Sequence, residues 1–154
     1  MSTPAGHTLI GVALARRLGV KSPIGLAAAV VASSLPDADI IAGAILHGDP
    51  WRIHRKASHT FGFTVTAGML AGMAGLISRG ANDGERDLVA DALVGAALVS
   101  SHVVLDRLPF PYRIARRGSR PVRIAGVSVV NWVLDVAVYG AIAWKLWPRS
   151  EGHE

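Results

Sequence analysis

The chain has 154 residues, enough for one domain with a sizeable core. Hydrophobic residues make up 51% of it and aromatic residues only 6%, and with no cysteine, disulfides and thiolate metal sites are excluded. The net charge of +5 comes from arginines grouped between apolar runs, which is a positive-inside pattern and not a nucleic-acid stripe.

Glycine recurs inside the apolar runs, where a soluble helix loses stability to it but packed membrane helices tolerate it. The mean hydropathy of +0.37 points the same way. The expected fold is an all-α helical membrane protein of about five helices: three near-spanning and a short N-terminal hairpin. One domain covers 1–150, with a disordered tail at 151–154. The competing reading is a soluble all-α domain with an alanine-rich core. The start, Met-Ser-Thr-Pro-Ala-Gly-His, has no basic stretch followed by an apolar core and a cleavage site, so no cleavable signal is expected.

Residues 7–19 predict a first helix, ended by Arg16, Arg17 and Gly19 and too short to span. His7 stands just before it. Ser22-Pro23 opens the next helix as N-cap and first helical residue. Pro36 interrupts that apolar run, with Asp37 and Asp39 at the break. Two readings are open: the carboxylates complement the start of a new helix, or they bind a divalent metal in a cavity.

A loop over 47–58 carries His47, Trp51 and the segment His54-Arg55-Lys56-Ala57-Ser58-His59-Thr60. On one helix His54 and His59 would point about 140° apart. They converge if His54 lies in the loop and His59 begins the next helix, with Ser58 as its N-cap. Phe61 to Ile77 and Leu88 to Leu105 predict two long apolar helices around a polar loop. Near the end of the second, His102 and Asp106 share a face. Asp91 is on a similar face but about 16 Å along the helix, outside the site.

Six arginines from Arg107 to Arg123 form a basic loop suited to the cytoplasmic side, to anionic lipid headgroups or to a phosphate. The last helix, Val127 to Trp147, bears a stripe of Ser128, Asn131, Asp135 and Tyr139. Asp135 is either an interhelical contact or a partner to a ligand histidine. With both basic loops on the cytoplasmic side, His54 and His59 at the start of one helix meet His102 and Asp106 at the end of the next. His153, in the tail, is set aside.

The ordered set His7, Leu35-Pro36-Asp37-Ala38-Asp39, His54-Arg55 to Ser58-His59, and His102 to Leu105-Asp106 resembles a family of small bacterial inner-membrane proteins described as membrane-bound metal-dependent hydrolases. That family's central motif usually runs His-Arg-Gly, then Thr-His-Ser; here Lys56 stands in place of the small residue. The resemblance covers His7 to about Asp106. It implies a helical fold, a bacterial inner-membrane location and dispersed metal ligands, distantly similar to zinc-dependent phospholipase C. His7, Asp37, His54, His59, His102 and Asp106 match the family's polar positions, and Asp39 its second aspartate.

The expected function is a membrane-bound metal-dependent hydrolase acting on a phosphoester or lipid-linked ester. Its cofactor is one or two divalent ions, Zn2+ before Mn2+ or Fe2+. Arg55 would clamp a phosphate, and Asp39 or Asp106, where not a ligand, would act as general base. The expected partners are the lipid bilayer and an anionic lipid or lipid-linked phosphate. The alternative from another class is a non-catalytic helical membrane protein, or a subunit of a larger complex, with a structural or degenerate metal site. A cation pathway through Asp135 is the weakest reading.

Overall fold

The computed structural model describes residues 3–77, 87–108, 123–124 and 127–148. Six α-helices run in the order α1 (Pro4–Arg17), α2 (Pro23–Ser34), α3 (Ala38–His47), α4 (Phe61–Met73), α5 (Leu88–Arg107) and α6 (Val129–Leu146). A 3-10 turn, Leu35–Asp37, joins α2 to α3, and a second, Ala57–His59, precedes α4. Among the described residues the fold is all-α apart from one two-residue antiparallel pair, β1 (Arg123–Ile124) with β2 (Val127–Ser128).

Local chemistry sets the helix starts. Thr3 caps α1 by accepting from the Gly6 N–H, with proline next in line. Ser22 caps α2 through the Gly25 N–H at 3.0 Å, and Asp87 caps α5 through the Ala90 N–H at 2.9 Å. α3 stops at Gly48, which takes the left-handed φ of 66° that glycine adopts without strain. Helix α1 therefore begins before His7, which lies buried inside its first turn and does not precede the helix.

Helices α1 and α2 pack together as the expected N-terminal hairpin, but its second arm is longer than expected. α2, the 3-10 turn and α3 form one continuous helical segment, Pro23–His47, of 25 residues. Pro36 does not break it because it occupies the first turn of the 3-10 stretch, where a missing N–H costs little. This segment and Leu88–Arg107 are the two among the described residues with the length and apolarity of a membrane span. Phe61–Met73 is apolar but shorter than expected, and its end is followed by a turn at Gly75 (φ 78°).

The outer surface is correspondingly apolar. Ile45 is 77% exposed and Leu93 61%, a finish suited to lipid more than to water. Inside, Ala15, Val20, Ala29, Leu98 and Val99 form a fully buried core between α1, α2 and α5. α4 and α5 approach backbone to backbone: a Cβ at Gly68 or Gly72 would overlap main-chain atoms of Gly95 or Asp91. This small-residue seam, Gly68-x-x-x-Gly72 against Gly95, is how membrane helices gain contact where lipid gives no hydrophobic drive. It fixes the axis of α5, and with it the two residues α5 sends to the site.

Candidate metal centre

One end of the bundle gathers residues from five elements: His7 of α1, Asp37 of the 3-10 turn, Asp39 at the start of α3, the loop and turn carrying His54, Arg55, Ser58 and His59, and His102 with Asp106 of α5. Three overlapping trios, His7–His102–Asp106, Asp37–His59–His102 and Asp39–His54–His59, each bring one ligand atom per residue to within 4.8 Å of one another. All six residues singled out as ligands, together with Asp39 and Arg55, lie in this cluster. The basic-loop arginines Arg113, Arg116, Arg117 and Arg120, the polar loop 78–86 and the tail with His153 fall outside the described residues.

The rings are packed against one another. His7 stacks on His102 with centroids 3.7 Å apart and planes 11° apart. His59 stands edge-on to His102 at 5.1 Å and to His54 at 4.9 Å, and Trp51 closes the outer side of His54 at 5.3 Å. Desolvation by this burial holds the His59 ring below the ordinary histidine range, and nearby His102 pushes it the same way. The ring is therefore neutral, the state in which a histidine ligates.

Hydrogen bonds fix the tautomers. His102 Nδ1–H donates to the Ser33 carbonyl at 2.8 Å. His54 Nδ1–H donates to Asp39 Oδ1 at 2.8 Å. Ser58 gives its one hydroxyl proton to Asp39 Oδ2, so its oxygen is left to accept from His59 Nδ1–H at 3.0 Å. Each of these three rings thus carries a proton on Nδ1, so that the neutral ring presents a bare Nε2. The Nε2 atoms of His54, His59 and His102 are buried without a hydrogen-bond partner among the described residues.

Two of these nitrogens face carboxylates. His102 Nε2 lies 3.3 Å from Asp37 Oδ1. His59 Nε2 lies 3.5 Å from the same oxygen and 3.7 Å from Asp106 Oδ2. His7 Nε2 lies 3.6 Å from Asp106 Oδ1. A lone pair against a carboxylate repels unless a cation or proton lies between them. Two donors on one tetrahedral ion at about 2.0–2.2 Å stand roughly 3.3–3.6 Å from each other. The observed spacings fit that requirement, so His7, Asp37, His59, His102 and Asp106 can hold a divalent ion, and His54 offers a further nitrogen.

Asp39, named with Asp106 as a candidate general base, is heavily hydrogen-bonded. It accepts from His54, from Ser58 and from the Arg55 backbone N–H at 3.0 Å, so its oxygens are taken up orienting two of the rings. Arg55 adopts a left-handed φ of 66°, a conformation that costs a non-glycine residue about 1–2 kcal/mol. That turn points its N–H at Asp39 and its guanidinium at Asp106, with Nη2 to Oδ2 at 2.7 Å. The Arg55 side chain remains 39% exposed, so it stands at the mouth of the centre.

Two further expectations are revised. His59 closes a 3-10 turn and does not begin a helix, and the N-cap of α4 is Thr60, which accepts from the Phe63 N–H at 3.2 Å. Asp135, fully buried in α6, accepts from the Thr3 backbone N–H at the head of α1, which is the interhelical contact of the two readings left open for it. Close approach there depends on Gly6, where a Cβ would meet the Tyr139 ring at 2.7 Å. Sequence reasoning missed the Ser33 carbonyl and the Ser58 relay. A backbone carbonyl has no residue-type signature; Ser58 does, but it also reads as a helix cap.

These features define the class: a helical membrane protein with a buried histidine–aspartate centre at one end of its bundle. The model of the YdjM inner membrane protein family matches residues 1–110, most of the chain, and the protein belongs to that family of the bacterial inner membrane. The matched part contains every residue of the centre, while α6 lies outside it. No curated protein and no solved structure matches the chain.

Proposed function

We propose that the protein is a membrane-bound metal-dependent hydrolase whose centre holds one or two divalent ions, Zn2+ in first place, and acts on a phosphoester or lipid-linked ester. The observation that carries this reading is the pair of buried imidazole nitrogens, Nε2 of His59 and of His102, without a hydrogen-bond partner among the described residues and turned toward Asp37 and Asp106 at 3.3–3.7 Å. A divalent ion supplies an acidified water and polarises the electrophile. The ligands in this reading are His7, Asp37, His59, His102 and Asp106, with His54 at the second position of a two-ion centre.

The other residues orient and bind. Asp39 sets His54 directly and His59 through Ser58, a second layer that fixes ligand tautomers. The Ser33 carbonyl does the same for His102. Arg55, half in solvent, holds Asp106 and presents its remaining N–H groups to an incoming phosphate oxygen. The apolar surface around the bundle suits a substrate from the bilayer, and the charge bias of the sequence supports a centre on the cytoplasmic side.

The test is metal content by elemental mass spectrometry on the detergent-purified protein, beside His59→Ala and His102→Ala. One or two equivalents of zinc or manganese, lost in both variants, is the expected result and leads to a screen of phosphoester and lipid substrates. No metal in the wild type after reconstitution with either ion would overturn the reading. Bound metal with no hydrolysis of any substrate would leave a structural centre.

A further inference from the structure

Away from the centre, helices α1 and α6 part to leave an apolar slot of about 400 Å3, lined by Thr8, Leu9 and Val12 on one side and Gly140, Ala143, Trp144 and Trp147 on the other. Apart from the Thr8 hydroxyl and the indole N–H groups, its walls carry no polar side chain. At Gly140 an added Cβ would meet nothing within 4 Å, so the slot is open at its middle. Trp144 is 79% exposed beside it.

At the far end from His7 stands Arg16. Its guanidinium lies over the Trp147 ring at 5.3 Å, and its Nε is buried with no hydrogen-bond partner. Among the described residues no carboxylate or carbonyl pairs with it. A guanidinium placed so, against a tryptophan that lines the apolar slot, calls for an anion that brings apolar bulk with it. Arg16 stands one turn beyond Val12, the last slot residue of α1, about 10 Å along the helix from Leu9. That geometry suits a tail lying in the slot and a charged head at Arg16.

We propose that the α1–α6 slot is a binding site for one anionic phospholipid, with an acyl chain between Leu9, Gly140 and Trp144 and its phosphate on Arg16. Three features separate this occupant from others. The unpaired cation selects an anion, the slot selects a hydrocarbon chain, and the tryptophans suit the boundary between headgroup and chain. The site is distinct from the metal centre and stands whether or not that centre binds metal.

The test uses the full chain in bilayers, with Trp51→Phe and Trp132→Phe so that only Trp144 and Trp147 fluoresce. Lipids with brominated acyl chains, phosphatidylglycerol or phosphatidylcholine, serve as contact quenchers. The expected result is at least fivefold stronger apparent binding of the glycerol lipid. Arg16→Gln should bring that ratio close to one, and Gly140→Phe should weaken quenching by both lipids. Far-UV circular dichroism checks the fold of each variant; if Gly140→Phe does not fold, Gly140→Val takes its place. Equal quenching by the two lipids in the unsubstituted slot overturns the proposal, as does a preference that survives Arg16→Gln. Release of the glycerol lipid by submillimolar inorganic phosphate would mark a free-anion site instead. A dimer that Gly140→Phe splits would show that a second copy fills the slot. Either result also overturns the lipid assignment.

Discussion

Helix α5 takes part in two regions built on opposite terms. At the seam with α4, Gly95 meets Gly68 and Gly72 with backbone against backbone, and there is no room for another atom. Two turns further on, His102 leaves a buried nitrogen unbonded in front of a carboxylate. The seam is closed and the centre is open, and the first makes the second tolerable. An unsatisfied polar atom costs about 1–3 kcal/mol. The chain bears several at one point because rigid packing holds them in place for a ligand to satisfy.

The seam should break hardest. Gly72→Leu drives a side chain into the α5 backbone, and overpacking of this kind costs about 3 kcal/mol or more. Little monodisperse protein should survive size-exclusion chromatography. Gly62→Ala, in the same helix but with nothing within 4 Å of the new Cβ, should fold normally. Equal yields for the two variants would remove the seam from the account.

The centre should break function and leave the fold. His102→Ala removes a ligand shared by two of the three trios, so zinc affinity should fall by a factor of about a hundred or more, with helical circular dichroism retained. In the same experiment, zinc at a hundred times its dissociation constant should stabilise the wild type by about 2.7 kcal/mol. The thermal midpoint should rise accordingly, and the variant should show no such rise. A variant that unfolds without metal would mean that the centre supports the fold as much as the seam does.

Smaller effects separate ligands from the groups that aim them. Asp39→Asn keeps the shape but offers one acceptor fewer, and should weaken metal binding about 10- to 100-fold by freeing two rings. A loss as deep as that of His102→Ala would make Asp39 a ligand. Asp135→Ala should cost about tenfold in metal affinity by loosening the head of α1 and hence His7, whereas Asp135→Asn, which keeps an acceptor for the Thr3 N–H, should recover most of it. Identical behaviour of the two variants would detach α6 from the centre.

Much of this was legible in the sequence. The all-α fold follows from apolar runs with glycine inside and arginine between them. The gathering of His7, Asp37, His54, His59, His102 and Asp106 was foreshadowed because polar residues at the ends of apolar runs have few other reasons to stand there. The rest was hidden for physical causes. Pro36 looks like a helix breaker, and only its place in a 3-10 turn lets Pro23–His47 run on as one segment. Asp39 looks like any carboxylate until its three donors are seen. One partner of Asp135 is a backbone N–H 132 residues away, which no side-chain pattern can announce.

That continuous segment has a consequence for biosynthesis. Asp37 and Asp39 leave the ribosome inside an apolar stretch of spanning length, before His54, Arg55 and Ser58, and long before His102 and Asp106. The nascent chain makes its acids ahead of most of the bases that answer them. Insertion of residues 23–47 is therefore provisional until α5 emerges, and a chain arrested short of His102 should be cleared by membrane proteases faster than one arrested beyond Asp106. Equal lifetimes would mean that the segment is at rest in the membrane from the moment it enters.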